Sequence, residues 1–337
     1  MRGSTALALL LCCVVASGAA CGRRSTLPDS LSDQEFWRLS EALSEPAGKF
    51  SVSDNLVSNE PHVAENIRRL HAVGGVYIGV GPEQNFSYIA RLEPRMAFVI
   101  DIRRENRNLH LLYKALFALS MDRGDFVSRL FSRARPHGLG RSASAEDIFS
   151  RYERVPASAE HYQRNLALVR DHLLKTRGLP LTDEDLAWIE RVFKAFYSDG
   201  PGIRYWGSSD MKAVQPTYQW LMTIEDAIGT ARSFLATEEA FEFVKDMQRR
   251  NLIVPVVGDF GGPNAIPRVG DYVRAHGDQI RAFYGSNVAV YLTNQQKLTY
   301  CRNLATLPAA RRAWFIERDG VLQFAAKVKK CAAAPGS

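Results

Sequence analysis

The chain has 337 residues, 46% of them hydrophobic and 23% charged, with a formal net charge of +7. That length and apolar content allow a sizeable core in one large domain or two small ones, and exclude a disordered tail. The basic excess is spread without runs of like charge, so no nucleic-acid partner is expected, while an anionic ligand or an acidic membrane surface stays compatible.

The first twenty residues read as an export signal: Arg2 supplies a short positive region, Ala6 to Ala16 an apolar run, and Ser17-Gly-Ala-Ala-Cys21 a small-residue site ending in cysteine. The run is too short to span a bilayer. The site is lipobox-like, so Cys21 is the expected lipidation site, as in bacterial lipoproteins, although Gly18 stands where a larger apolar residue is commoner. An exported, membrane-anchored protein follows; plain secretion into the periplasm or medium after cleavage at Ala19 or Ala20, and a buried hydrophobic start to a cytosolic protein, are the alternatives. Cys12 and Cys13 leave with the signal, so Cys301 and Cys331 remain for the folded body. They form either one disulfide, stabilising by about 3–4 kcal/mol, or two unpaired thiols. With no CxxC, no HExxH and no close cluster among the seven histidines, no metal site is expected.

Residues 21–50 comprise a Ser/Pro tether, residues 22–31, and a helix opened by the capping box Ser32-Asp-Gln-Glu35, with Phe36, Leu39 and Leu43 on one face. A second helix carries Val63, Ile67 and Leu70, and Asn59 either caps it or, with Asn55 and Glu60, reaches over a pocket. Strand Val76–Val80, a helix from about Glu83 to Leu92, strand Met96–Ile100 and a helix from about Leu109 to Ser120 give a β-α-β-α alternation over residues 51–121. The apolar strands lack period-2 alternation, as a mostly parallel sheet covered on both faces requires.

The alternation lapses over residues 122–237, a helical insert. It holds the basic stretch Arg129 to Arg141, a helix near Glu160–Thr176, and another opened by Thr182-Asp-Glu-Asp185 with Leu186, Ile189, Phe193 and Phe196 on one face. Arg103, Arg104 and the basic stretch either grip an anion or form solvated faces. Residues 203–222 are rich in Tyr and Trp, which either stack on a ligand or pack the insert onto the sheet. Residues 238–295 resume the core: helix Glu238–Arg250, strand Leu252–Gly258, helix Pro263–His276 and strand Gln279–Tyr284. Residues 296–337 read as a C-terminal tail.

In an open α/β sheet, the loops after the carboxyl ends of the strands build the ligand crevice. Gly79 and Gly81 permit a sharp turn and close backbone approach, and Asp101 ends the second strand twenty residues after Gly81, the spacing at which a carboxylate accepts from ribose hydroxyls. The third glycine of GxGxxG is replaced by Gln84, and Pro82-Glu83 stands where a pyrophosphate needs bare amides, so a dinucleotide is not expected. The loops after the later strands place Asp259, Phe260, Tyr284 and Asn287 beside this turn; Asp259 acts as base, acceptor or helix N-cap. His110, among leucines, is read as a packed histidine, and no catalytic residue is assigned.

The stretches "VYIGVGPEQNFSYI", "AFVIDIRRENRNLHLLYKALF" and "VVGDFGGPNAIPRVGDYVRAHGDQIRAFYGSNV" together resemble a family of bacterial proteins that look like class I S-adenosylmethionine-dependent methyltransferases in fold. The resemblance spans roughly residues 50–295. It implies a Rossmann-like sheet and a pocket in which Gly79, Gly81, Glu83 and Asn85 line the methionine side, Asp101 and Arg103 the ribose side, and Asp259-Phe260 the reaction side. S-adenosylmethionine is the cofactor it implies, and an exported protein would not ordinarily meet that molecule. Three functions stay open: an exported methyltransferase-like shell binding another small molecule, a genuine methyltransferase, and a structural or interaction lipoprotein without a ligand.

Overall fold

The computed structural model describes residues 25–50, 52, 54–205 and 215–333. The signal segment, Cys21 and part of the aromatic 203–222 loop lie outside the described residues.

Helix α1 (Asp33–Leu43) opens with a capping box in which the Ser32 hydroxyl accepts from the Glu35 amide and the Glu35 carboxylate accepts from the Ser32 amide, and it turns Phe36, Ser40 and Leu43 inward. After α2 (Val63–Arg68) come β1 (Val76–Val80), α3 (Gln84–Leu92), β2 (Met96–Asp101) and α4 (Arg104–Leu119). The insert contributes α5 (Arg123–Leu130), α6 (Ala145–Glu153), α7 (Ala159–Asp171), α8 (Asp183–Asp199) and α9 (Tyr218–Thr223). Then follow α10 (Glu238–Arg249), β3 (Ile253–Val257), α11 (Ala265–Ala275), β4 (Ile280–Tyr284), α12 (Asn294–Thr306), β5 (Ala309–Glu317), β6 (Gly320–Gln323) and α13 (Phe324–Ala332). Residues 296–333, read in the sequence as a tail, thus carry two more strands. Arg311 and Arg312 interrupt the apolar run of β5, which hides its strand signal.

The strands form one sheet in the order β3-β2-β1-β4-β5-β6, parallel except for the β5–β6 hairpin. Strands β1 and β2 are neighbours, in register from Val76 opposite Met96 to Val80 opposite Ile100. The residues of β2 and β3 are buried throughout, as strands covered on both faces must be. Helices α3, α4 and α10 pack together on the sheet, and α11, α12 and α13 form a second group. The edge strand β3 is shielded by α1: the Ser40 hydroxyl donates to the Pro255 carbonyl and the Val257 amide donates to Ser44 Oγ. Pro255, which lacks an N–H, is tolerated on such an edge.

An aromatic cluster joins insert to core. Phe86 of α3 meets Tyr113 and Phe117 of α4 and Phe234, and Phe117 meets Phe126 and Phe241. Tyr218, from the aromatic loop, is buried against Phe131, Phe149 and Phe196 and so packs rather than stacks on a ligand. Cys301 and Cys331 are bonded, stapling α12 to α13 across a sequence separation of 30.

Candidate functional site

Strand order reverses between β1 and β4, and a cavity of about 220 Å³ opens there at the carboxyl ends of β1, β2, β3 and β4. Chains leave the sheet in opposite directions at such a point, which opens a gap that no crossover covers. Gly81, Asp101, Asp259 and Tyr284, far apart in sequence, all line it. Arg103, Phe260, Asn55, Asn59, Glu60 and Asn287 line it as well. Three expected residues do not, and each has a structural task instead.

Gly79 is a packing glycine: a Cβ there would stand 2.0 Å from Asn85 Oδ1 and 2.5 Å from the Tyr77 hydroxyl. Asn85 is buried beneath the turn; its Nδ2 donates to the carbonyls of Val80 (2.9 Å), Gly81 (3.1 Å) and Pro82 (2.7 Å), and its Oδ1 accepts from the Tyr77 hydroxyl (2.8 Å). Glu83 is fully buried, and its carboxylate accepts from the Ser58 amide at 3.0 and 3.3 Å. Burial pushes its pKa up to about 7, against the bonds from the Ser58 amide and its own amide. A carboxylate at the start of α3 occupies the position where a phosphate would be drawn by free amides and the helix dipole. Gly81 keeps a left-handed φ of +77°, which is why the turn needs glycine. Below it, His110 Nε2 donates to the Gly81 carbonyl at 2.9 Å, and burial lowers the imidazole pKa to about 4.

Asp101 and Arg103 form a buried bidentate pair: Nε reaches Oδ1 at 3.0 Å and Nη2 reaches Oδ2 at 3.1 Å. The same Oδ1 accepts from the Arg103 amide, and Nη1 donates to the Asp54 carbonyl, tying the 54–60 loop to the end of β2. Both oxygens of the ribose candidate are therefore engaged by a guanidinium. Asp259 does not cap α11, whose N-cap is Asn264; it closes its own turn by accepting from the Gly261 amide (2.8 Å) and from Gln296 Nε2 (3.1 Å). Asn59 does not cap α2 either, since His62 holds that position.

Glu60 is 2% exposed, and one of its oxygens accepts from the Ser286 hydroxyl while Oε2 has no hydrogen-bond partner. Burial raises its pKa, opposed by the Ser286 and Tyr284 hydroxyls. Gln84 donates to the Tyr284 hydroxyl (2.9 Å) and the Val80 carbonyl (3.2 Å), leaving Oε1 buried and unpartnered. Ser286 and Asn55 adopt left-handed φ values of +46° and +50°, so two non-glycine residues in a sparsely populated conformation sit on the cavity wall.

Tyr205, from the aromatic 203–222 stretch, lines the cavity, as the ligand-side alternative for that stretch allows; the other lining residues Lys49, Phe50, Tyr291 and Gln296 carried no sequence signal and come from loops and α12 rather than from strand ends. Phe50 and Tyr291 meet edge to face at 5.0 Å. The basic stretch is consumed internally, so neither the anion-gripping nor the solvated reading holds for Arg129, Arg133 or Arg135. Arg129 bonds Asp125, Arg133 bonds the carbonyls of Tyr152 and Val155, and Arg135 forms a bidentate pair with Asp122. Among the described residues no group of three or more His, Cys, Asp or Glu side chains could hold a metal ion, and no helix is long and apolar enough to cross a membrane.

Fold and crevice define an α/β protein with a six-stranded, mostly parallel sheet and a largely apolar cavity, carrying a few charged and polar groups, at its strand-order reversal. The chain belongs to the family described as a domain of unknown function (DUF7790), whose model matches residues 55–318. No curated protein matches the chain.

Proposed function

We propose that the chain is an exported, lipid-anchored protein that binds a small molecule in this crevice, with a Rossmann-like shell of the class I methyltransferase kind. One observation carries the binding reading: residues from the ends of four strands line a single cavity at the strand-order reversal. The wall is mostly apolar, with rings from Phe50, Tyr205, Phe260 and Tyr291, and it carries a few charged groups: the carboxyl groups of Glu60, Asp101 and Asp259 and the cations Lys49 and Arg103. This chemistry suits a ligand with hydroxyl or amino groups and a flat apolar part. A phosphate is disfavoured by the Glu83 carboxylate already seated at the start of α3. The proposal is of binding and assigns no reaction.

The test is native mass spectrometry of the purified protein for a retained small molecule, with Asp101→Ala and Glu60→Gln as controls. A phosphorus-free ligand lost in both variants is the expected result. A folded protein that retains nothing and takes up nothing from a metabolite library would favour an interaction lipoprotein. S-adenosylmethionine is the second reading, favoured by Gly81, Asp101 and Asp259 lining one cavity. Calorimetry with it and with S-adenosylhomocysteine decides: micromolar binding, about 8 kcal/mol, lost in Asp101→Ala would establish the methyltransferase reading. The Arg103 pairing of Asp101 leads us to expect weak binding or none.

A further inference from the structure

The segment read in the sequence as a tether is docked over residues 25–31. The Thr26 amide donates to the His276 carbonyl at 2.8 Å and the Leu31 amide to the Arg250 carbonyl at 3.0 Å. Arg95 Nη2 donates to the Leu27 carbonyl at 3.1 Å, Asn251 Nδ2 donates to the Leu31 carbonyl at 2.9 Å, and Leu27 is buried. Every one of these contacts involves residues just before a strand: Arg95 precedes β2, Arg250 and Asn251 precede β3, and His276 precedes β4. The crevice lies at the other ends of the same strands. A strand of five or six residues separates the two edges by about 17–20 Å.

From this docking we infer that, once lipidated at Cys21, the protein sits with the amino-terminal edge of its sheet toward the membrane and its crevice opening away from it. The inference rests on the lipid-anchor part of the proposed function. Three residues lie between Cys21 and Ser25, and four residue steps span at most about 14 Å, less than the distance from one sheet edge to the other. The anchor therefore cannot swing the crevice onto the bilayer while residues 25–31 stay docked. Charge favours the same orientation. Arg23 and Arg24 adjoin the anchor and Arg311 and Arg312 are exposed near the start of β5, four cations against the exposed Asp29 of the docked segment, while Arg249 and Arg274 are paired to Asp246 and Asp271 and add no net charge. Basic residues close to an anchored surface are attracted by anionic headgroups. The crevice then draws its ligand from the aqueous compartment rather than from the bilayer.

The test uses the full-length lipidated protein in vesicles of phosphatidylglycerol and phosphatidylethanolamine, with a fluorophore at Arg274→Cys on the proposed membrane edge or at Val290→Cys on the crevice rim. Val290 is 73% exposed, and the native cysteines of the body are bonded to each other. Nitroxide-bearing lipids should quench the label at position 274 several-fold more than that at 290, and a long Gly/Ser spacer inserted before Ser25 should erase the difference. Equal or reversed quenching in the protein without the spacer overturns the orientation. An unmodified Cys21, read by intact-mass measurement, overturns the anchor beneath it, and neither result bears on ligand binding measured in detergent.

Discussion

Arg123 and Glu60 are ionisable residues buried to the same degree, each 2% exposed, in two regions that treat buried charge in opposite ways. In the insert, Arg123 uses all five of its N–H donors: Nε on Glu238, Nη1 on the carbonyls of Leu235 and Ala236, Nη2 on those of Arg141 and Ala143. It fastens α5 to the start of α10 and to the loop before α6. At the crevice, the Glu60 carboxylate is met only by hydroxyls, those of Ser286 and Tyr284, with the Arg318 charge nearby and no direct ion pair. A buried charge whose every donor is met acts as a staple, whereas one without an ion pair beside a cavity costs stability that a ligand can recover. Burial is the same at both sites; what differs is that Glu60 faces a cavity and Arg123 does not.

The largest effect should come from breaking the staple. Arg123→Ala leaves Glu238 and four carbonyls without their donor and should cost about 3–5 kcal/mol in urea unfolding. A loss under 1 kcal/mol would show that the network is not the staple it resembles. Acid titration gives the next effect. The His110 imidazole, lowered by burial to about 4, stays neutral in the fold while the unfolded chain takes up a proton near its ordinary value. Its contribution is full above about pH 6.5 and is lost as pH falls toward 4, amounting to roughly 3 kcal/mol. His110→Gln, which keeps a donor for the Gly81 carbonyl, should flatten that limb in pH-dependent denaturation.

Glu83 has the opposite sign. Its folded pKa of about 7 lies above the ordinary carboxyl value, so its contribution is full below about pH 4.5 and is lost as pH rises through 7. Glu83→Gln, still able to accept from the Ser58 amide, should gain up to roughly 3 kcal/mol at pH 8 and nothing at pH 4. A pH-independent difference between the two proteins would place the effect in packing instead. Glu60→Gln sharpens the comparison most narrowly. Unlike Arg123→Ala, it should raise the melting temperature at neutral pH, because burial disfavours the charged carboxylate. It should also weaken the retained ligand by about tenfold, roughly 1.4 kcal/mol. A destabilised variant with intact binding would reassign Glu60 to the staple class.

Much of this was legible in the residues alone. Apolar runs such as "VYIGV" and "MAFVI" declared buried parallel strands, and the rule that ligand loops follow strand carboxyl ends brought Gly81, Asp101, Asp259 and Tyr284 together before any geometry was known. Local chemistry also fixed the capping boxes at Ser32 and Thr182, since each is contained within four residues. Tertiary structure decided whatever depends on contacts between distant segments. It turned Glu83 and Asn85 from cofactor ligands into supports of their own turn, because Ser58 and Tyr77 reach them from elsewhere in the chain. It set the Asp101 carboxylate against Arg103 and the Asp54 carbonyl, committed the basic stretch to internal partners, and docked residues 25–31 on the sheet edge. Periodicity and spacing report which face of its own element a side chain occupies. Which buried charge finds a partner is set by three-dimensional proximity, and no local pattern encodes it.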